Sequence, residues 1–178
     1  MTAFSGAKAW IIVAIRCIVI ISSIVVLGAI SSTGTKDWYE DLLNGTCVYN
    51  GHMAACALGE AAGSLSLIVC VLLVFVDIYF IWKAESSSDW SQIVLLFDVV
   101  LNFVFVLIWI TAFALMTQGY GQLPTGKETY LNDVEDLNAR VSLVFAFFAF
   151  FGTALLALTS AYRLHASPSA NSPTYEKL

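Results

Sequence analysis

Between Cys47 and Phe80 a polar loop held between two cysteines runs almost without a spacer into an apolar segment ending Asp77-Ile78-Tyr79-Phe80. An apolar run of about 20 residues is long enough to cross a bilayer. A loop closed by paired cysteines belongs in an oxidising compartment. This one stretch therefore sets three things: a membrane protein, a loop away from the cytosol, and the direction of the helix that follows.

Three further apolar runs flank it. Helices are expected over 10–30, 58–81, 93–116 and 140–161. Charged residues make up only 12% of the chain, against about 25% in soluble domains. A soluble fold of 178 residues could not hide the remaining apolar surface. The net charge of -5 argues against nucleic-acid binding, which favours basic patches. The first run is too long for a signal-peptide core, and Arg16 interrupts it. The expectation is an all-α membrane protein, a four-transmembrane-helix bundle in one domain. Residues 1–9 form a cytoplasmic N-terminus and 162–178 a disordered cytoplasmic tail.

The cysteines divide by context. Cys17 and Cys70 fall inside apolar runs and are expected as packed thiols, while Cys47 and Cys56 share one polar loop and are expected as a disulfide. The alternative is a pair of free thiols. A zinc site is disfavoured, because His52 is the only other soft ligand nearby and a structural site needs four. Asn44-Gly45-Thr46 fits the N-glycosylation acceptor, usable only on the luminal or extracellular side. Lys8, Lys83, Arg163 and Lys177 fall on one side, Lys36, Lys127 and Arg140 on the other. That bias leans towards cytoplasmic termini, and the sequon and cysteine pair point the same way.

Inside the runs, Gly59, Ala62, Gly63 and Ser66 put small side chains on one helix face. They are either a close-approach surface or a compositional bias without a partner. The short link 82–92 makes the second and third helices antiparallel neighbours. Phe145, Phe147, Phe148, Phe150 and Phe151 crowd the fourth run and suit lipid contact and packing.

Arg16, Asp77 and Asp98 are the informative charges. Arg16 follows the start of the first run, Asp77 precedes the end of the second, and Asp98 follows the start of the third. At 1.5 Å per residue each lies roughly 6–9 Å inside the same bilayer edge. A charge at the bilayer centre costs at least ~2.5 kcal/mol, less at this depth and less again when paired. Two readings follow: a cluster that fixes which helix faces meet, or an ion or proton path. A conducting path calls for acidic groups at several depths, and only Glu60, near the opposite face with Arg140 or water to meet, adds one. The cluster is the favoured reading. No nucleophile–base pair, phosphate-binding glycine loop or metal-ligand set stands out, and His52 and His165 lack partners at useful spacing. No enzymatic activity and no cofactor are expected.

The segments Cys47-Val48-Tyr49-Asn50, Ala55-Cys56, the helix with Gly59 and Gly63, and Asp77-Ile78-Tyr79-Phe80 together resemble the synaptogyrin family. The likeness continues in Ile15-Arg16, Leu96-Phe97-Asp98 and Leu137-Asn138-Ala139-Arg140, and covers roughly Arg16 to Arg163. It implies a MARVEL-type four-helix fold related to the synaptophysins. It also implies a structural, organising role in synaptic or synaptic-like vesicle biogenesis, trafficking and regulated exocytosis. The implied partners are membrane lipid, further copies of the chain and other vesicle membrane proteins. The implied address is a cytoplasmic vesicle that cycles through the plasma membrane. Several features depart from the pattern. Glu60 stands where an apolar residue belongs, the N-terminal arm is short, and the tail lacks tyrosine-rich repeats. The absence of a second cysteine pair in 117–139 favours synaptogyrins over synaptophysins.

Two other classes compete: an oligomeric channel or transporter, and a claudin-like junction protein. Trp38, Cys47 and Cys56 loosely echo the first claudin loop, but Cys56 nearly abuts the second helix and leaves no room for the claudin extracellular sheet. Finally, Tyr175-Glu176-Lys177-Leu178 fits a sorting signal in which Tyr175 and Leu178 occupy separate pockets of a clathrin adaptor.

Overall fold

The computed structural model describes residues 6–34, 47, 49, 53–82, 90–122 and 133–165. Asn44, Tyr175 and Leu178, the candidate glycosylation and sorting residues, lie outside them. Four helices follow one another: α1 Gly6–Gly34, α2 Met53–Trp82, α3 Trp90–Gly121 and α4 Asp133–His165. Each carries a stretch long and apolar enough to span a membrane: Trp10–Ser32, Ala54–Tyr79, Ile93–Gly121 and Asp133–His165. The chain is a multi-pass membrane protein.

The helices run past the limits of the apolar runs. The structure places 133–139, expected as loop, and 162–165, expected as tail, inside α4. The local chemistry accounts for both ends. Asp133, Glu135 and Asp136 occupy the first turn and Arg163 and His165 the last, each sign complementing the helix macrodipole. α2 likewise begins at Met53, so Cys56 lies in its first turns rather than in a loop.

Each helix packs on its neighbour in chain order, and α4 closes the ring on α1. The α2–α3 contact is the sparsest of the four, while α4 is packed closely on both sides. The buried stripe of α1 recurs at helical spacing: Ile12, Arg16, Val19, Ser22, Ser23, Val26, Ala29 and Ile30. Around the stripe the helix stays apolar, because its other faces meet lipid rather than water.

α4 shows why packing is tight. Its inward residues are Ala139, Ser142, Ala146, Ala149, Gly152, Thr153, Leu156 and Ser160, nearly all small. Phe147, Phe148 and Phe151 are exposed on its outer side. Without a hydrophobic drive between helices in lipid, close approach of backbones supplies van der Waals contact. At Gly152 a Cβ would lie 2.6 Å from Val19 Cγ2.

The small face of α2 has a partner. A Cβ at Gly63 would lie 2.8 Å from Leu27 Cγ, and one at Gly59 2.6 Å from Ile30 Cδ1, both on α1. The Ser23 hydroxyl donates to Ser66 Oγ at 3.1 Å across the same seam. The close-approach reading therefore describes this face. One thiol differs from expectation: Cys70 is buried, but Cys17 is exposed on the outer surface of α1. It follows Arg16 by one residue, so the helical turn carries it away from the core.

Candidate functional site

Arg16 is fully buried, at 0% exposure. Its Nε donates to Asp77 Oδ2 at 2.7 Å, and its Nη2 donates to Asp98 Oδ1 at 2.6 Å. The three charges that share a depth in the sequence are thus brought together, one from each of α1, α2 and α3. Helix direction alternates around the ring, which is why a residue early in α1 meets one late in α2 and one early in α3.

Asp98 is held by more than Arg16. Asn102, one turn further along α3, donates from Nδ2 to Asp98 Oδ1 at 2.9 Å and to the Asp98 carbonyl at 2.7 Å. The Ser160 hydroxyl of α4 donates to Asp98 Oδ2 at 2.6 Å. Arg163, also on α4, brings Nη1 to 3.9 Å from Asp77 Oδ1. Every helix therefore contributes, and the two arginines offset the two aspartates. Ser160 and Arg163 escape the charge-by-depth reading of the sequence. The signal that finds them is their i, i+3 spacing on one face near the end of the last run, at the same bilayer edge.

Energetically, a buried ion pair is weak evidence for net stability, but removing one partner of such a pair is costly. In the cluster α1 presents Arg16 inward, and α2, α3 and α4 present their acceptors and donors to it at a single level. Among the described residues no group of three or more His, Cys, Asp or Glu is arranged to hold a metal ion.

The opposite end of the bundle is closed differently. Cys47 and Cys56 are joined in a disulfide spanning nine positions of chain. Within that ring Tyr49 is fully buried. Its hydroxyl donates to the Ala139 carbonyl at 3.3 Å and also bonds the Ser142 hydroxyl, both on α4. Gly119 of α3 leaves room for this insertion: a Cβ there would lie 2.7 Å from both the Cβ and the carbonyl oxygen of Tyr49. Burial pushes the Tyr49 phenol up to about 12, with the Ser142 hydrogen bond pulling the other way.

Beside it, Arg140 is taken up by α4 and α3. Its Nη2 pairs with Asp136 Oδ2 at 2.6 Å, and its Nε donates to the Tyr120 hydroxyl at 2.9 Å. Tyr120 in turn donates to Asp136 Oδ1 at 2.7 Å. Arg140 thus pairs with Asp136 and Tyr120, and Glu60, expected to meet either Arg140 or water, is exposed on α2.

Comparison with known proteins agrees with this architecture. The sequence profile of MARVEL, a membrane-associating domain, matches residues 9–159. Human synaptogyrin-1 is 30% identical over 158 residues, covering 86% of this chain and 64% of that protein. Mouse synaptogyrin-1 is 29% identical over 164 residues, with coverages of 90% and 68%. Synaptogyrin-2 of Bos taurus is 26% identical over 156 residues, with coverages of 86% and 66%. The chain spans a little under two thirds of the length of the human relative.

Proposed function

The chain belongs to the MARVEL family of membrane-associating domains, and on that footing we propose that it is a tetraspan vesicle protein with a structural role. Its bundle occupies membrane area, associates laterally with further copies and organises other membrane proteins of synaptic or synaptic-like vesicles. The match across residues 9–159, which reaches into all four helices, carries this reading. The buried Arg16–Asp77–Asp98 cluster suits it, because an organiser needs a bundle of fixed shape.

In this reading both chain ends face the cytosol. The Cys47–Cys56 end then faces the vesicle lumen, where a disulfide persists. Asn44 lies on that same side and is a candidate for glycosylation. Tyr175 and Leu178 lie on the cytosolic side, where a clathrin adaptor could take them up during cycling through the plasma membrane.

Fractionation of cells carrying the tagged endogenous protein tests the address. Co-sedimentation with small vesicles is expected, and its absence overturns the vesicle role. Tyr175→Ala should raise the amount at the plasma membrane; an unchanged surface level removes the sorting signal. Proton or ion flux in liposomes that vanished with Asp77→Asn would favour a channel instead.

A further inference from the structure

We propose that the charge cluster opens onto a binding recess for the head group of an amine-bearing phospholipid, of the phosphatidylethanolamine type, drawn from the leaflet on the side of the chain ends. The recess has a volume of about 100 Å³ and is partly open. It lies between α2 and α3, the sparsest seam of the bundle. Leu73, Val76 and Asp77 form one wall, Val94, Leu95 and Asp98 the other, with Arg16 and Arg163 also lining it. A single water needs only about 10–15 Å³ measured in this way, so the space suits a larger polar group.

Two features define what fits. Arg16 is fully buried, yet its Nη1 meets no hydrogen-bond acceptor among the described residues. A buried guanidinium donor left in this way calls for an acceptor oxygen. Asp77 turns Oδ2 to Arg16 but keeps Oδ1 at 3.9 Å from Arg163, beyond hydrogen-bond distance. That oxygen is available to a donor. The recess thus offers a cationic donor and an anionic acceptor side by side.

A phosphate diester supplies an oxygen for Arg16 Nη1, and a primary ammonium supplies N–H donors for Asp77. A head group carrying both is neutral overall and adds no net charge. Choline has the same charge but no N–H to donate. Serine adds a carboxylate with no matching cation. The depth agrees: Arg16, Asp77 and Asp98 stand six, two and five residues from the nearer ends of the apolar stretches Trp10–Ser32, Ala54–Tyr79 and Ile93–Gly121, about 3–9 Å at 1.5 Å per residue. The proposal rests on the chain crossing a membrane and is independent of the vesicle role and of which side the ends face.

The test uses the full chain in mild detergent, incubated with equal amounts of ethanolamine and choline phospholipids of identical tails. Native mass spectrometry reads the retained lipid. The ethanolamine lipid should be retained about tenfold over the choline lipid, the ratio expected for one charge-assisted hydrogen bond. Val94→Trp, which fills the recess without changing charge, should abolish the preference while helicity and the disulfide persist. Asp77→Asn, which keeps shape but removes the charge that the ammonium meets, is the second variant and should bring the two lipids towards equal retention even if the tryptophan variant does not fold. Equal retention of the two lipids overturns the proposal. So does a preference undiminished in the folded variants. Displacement of the lipid by equimolar soluble phosphoethanolamine would also overturn it, by giving the recess to a free phosphate ester.

Discussion

Asp98→Asn isolates the contribution of the ion cluster. The substitution keeps shape and leaves an oxygen to accept hydrogen bonds, but it removes one of the two negative charges on Arg16. The variant leaves buried Arg16 with one carboxylate where the parent has two. Removing one partner of a buried pair costs about 3–5 kcal/mol. Asp77 remains bonded to Arg16 at 2.7 Å, so the loss should fall at the lower end, about 3 kcal/mol. Adding Arg16→Met to Asp98→Asn removes the buried cation together with the carboxylate it met, and Asp77 keeps Arg163 at 3.9 Å. The double variant should recover most of the loss, to within about 1 kcal/mol of the parent, since apolar replacement of a buried pair is often neutral. Unfolding in mixed micelles with rising dodecyl sulfate, followed by circular dichroism, reads both. An Asp98→Asn variant within about 0.5 kcal/mol of the parent, the range of an ordinary surface change, would refute the reasoning. So would a double variant less stable than the single one.

Other outcomes follow from the opposite end and from the helix seams. Gly119→Ala should destabilise by about 1–3 kcal/mol through overpacking on Tyr49. Gly28→Ala, which meets nothing within 4 Å, should be neutral or stabilising in the same unfolding assay by up to about 1 kcal/mol. Replacing Cys47 and Cys56 with serine should cost about 2.5 kcal/mol from the loop closed by the bond, measured against the parent in the absence of reductant. The Tyr49 phenol should titrate near 12 instead of its ordinary 10.0, seen as late phenolate absorbance that Tyr49→Phe removes. A raised phenol pKa means the unfolded chain loses its proton first. The stability from burying neutral Tyr49 is therefore intact below pH 10 and lost between 10 and about 12.

Much of this architecture is legible in the chain because lipid imposes a simple code. Four long apolar runs can do little but span, and three charges at one depth have little choice but to find one another. What escapes the code is whatever depends on helix rotation. Cys17 and Arg16 are neighbours in sequence, yet one is exposed and the other buried. The inner stripe of α4 is masked by its phenylalanines, since hydrophobicity in a bilayer marks the outside of a bundle as much as its core. Ser160 reads as an ordinary hydroxyl until Asp98 is seen 2.6 Å away. Tyr49 belongs to a polar stretch of sequence, and its burial follows from its own side chain and backbone lying against α3 and α4. The helix ends are longer than the apolar runs because acidic and basic residues suit helix termini as well as they suit loops.

The two ends of the bundle are fastened by unlike clasps. One is covalent and the other ionic, so a reductant should act on the sulfur bridge alone and neutralising a carboxylate on the arginine knot alone.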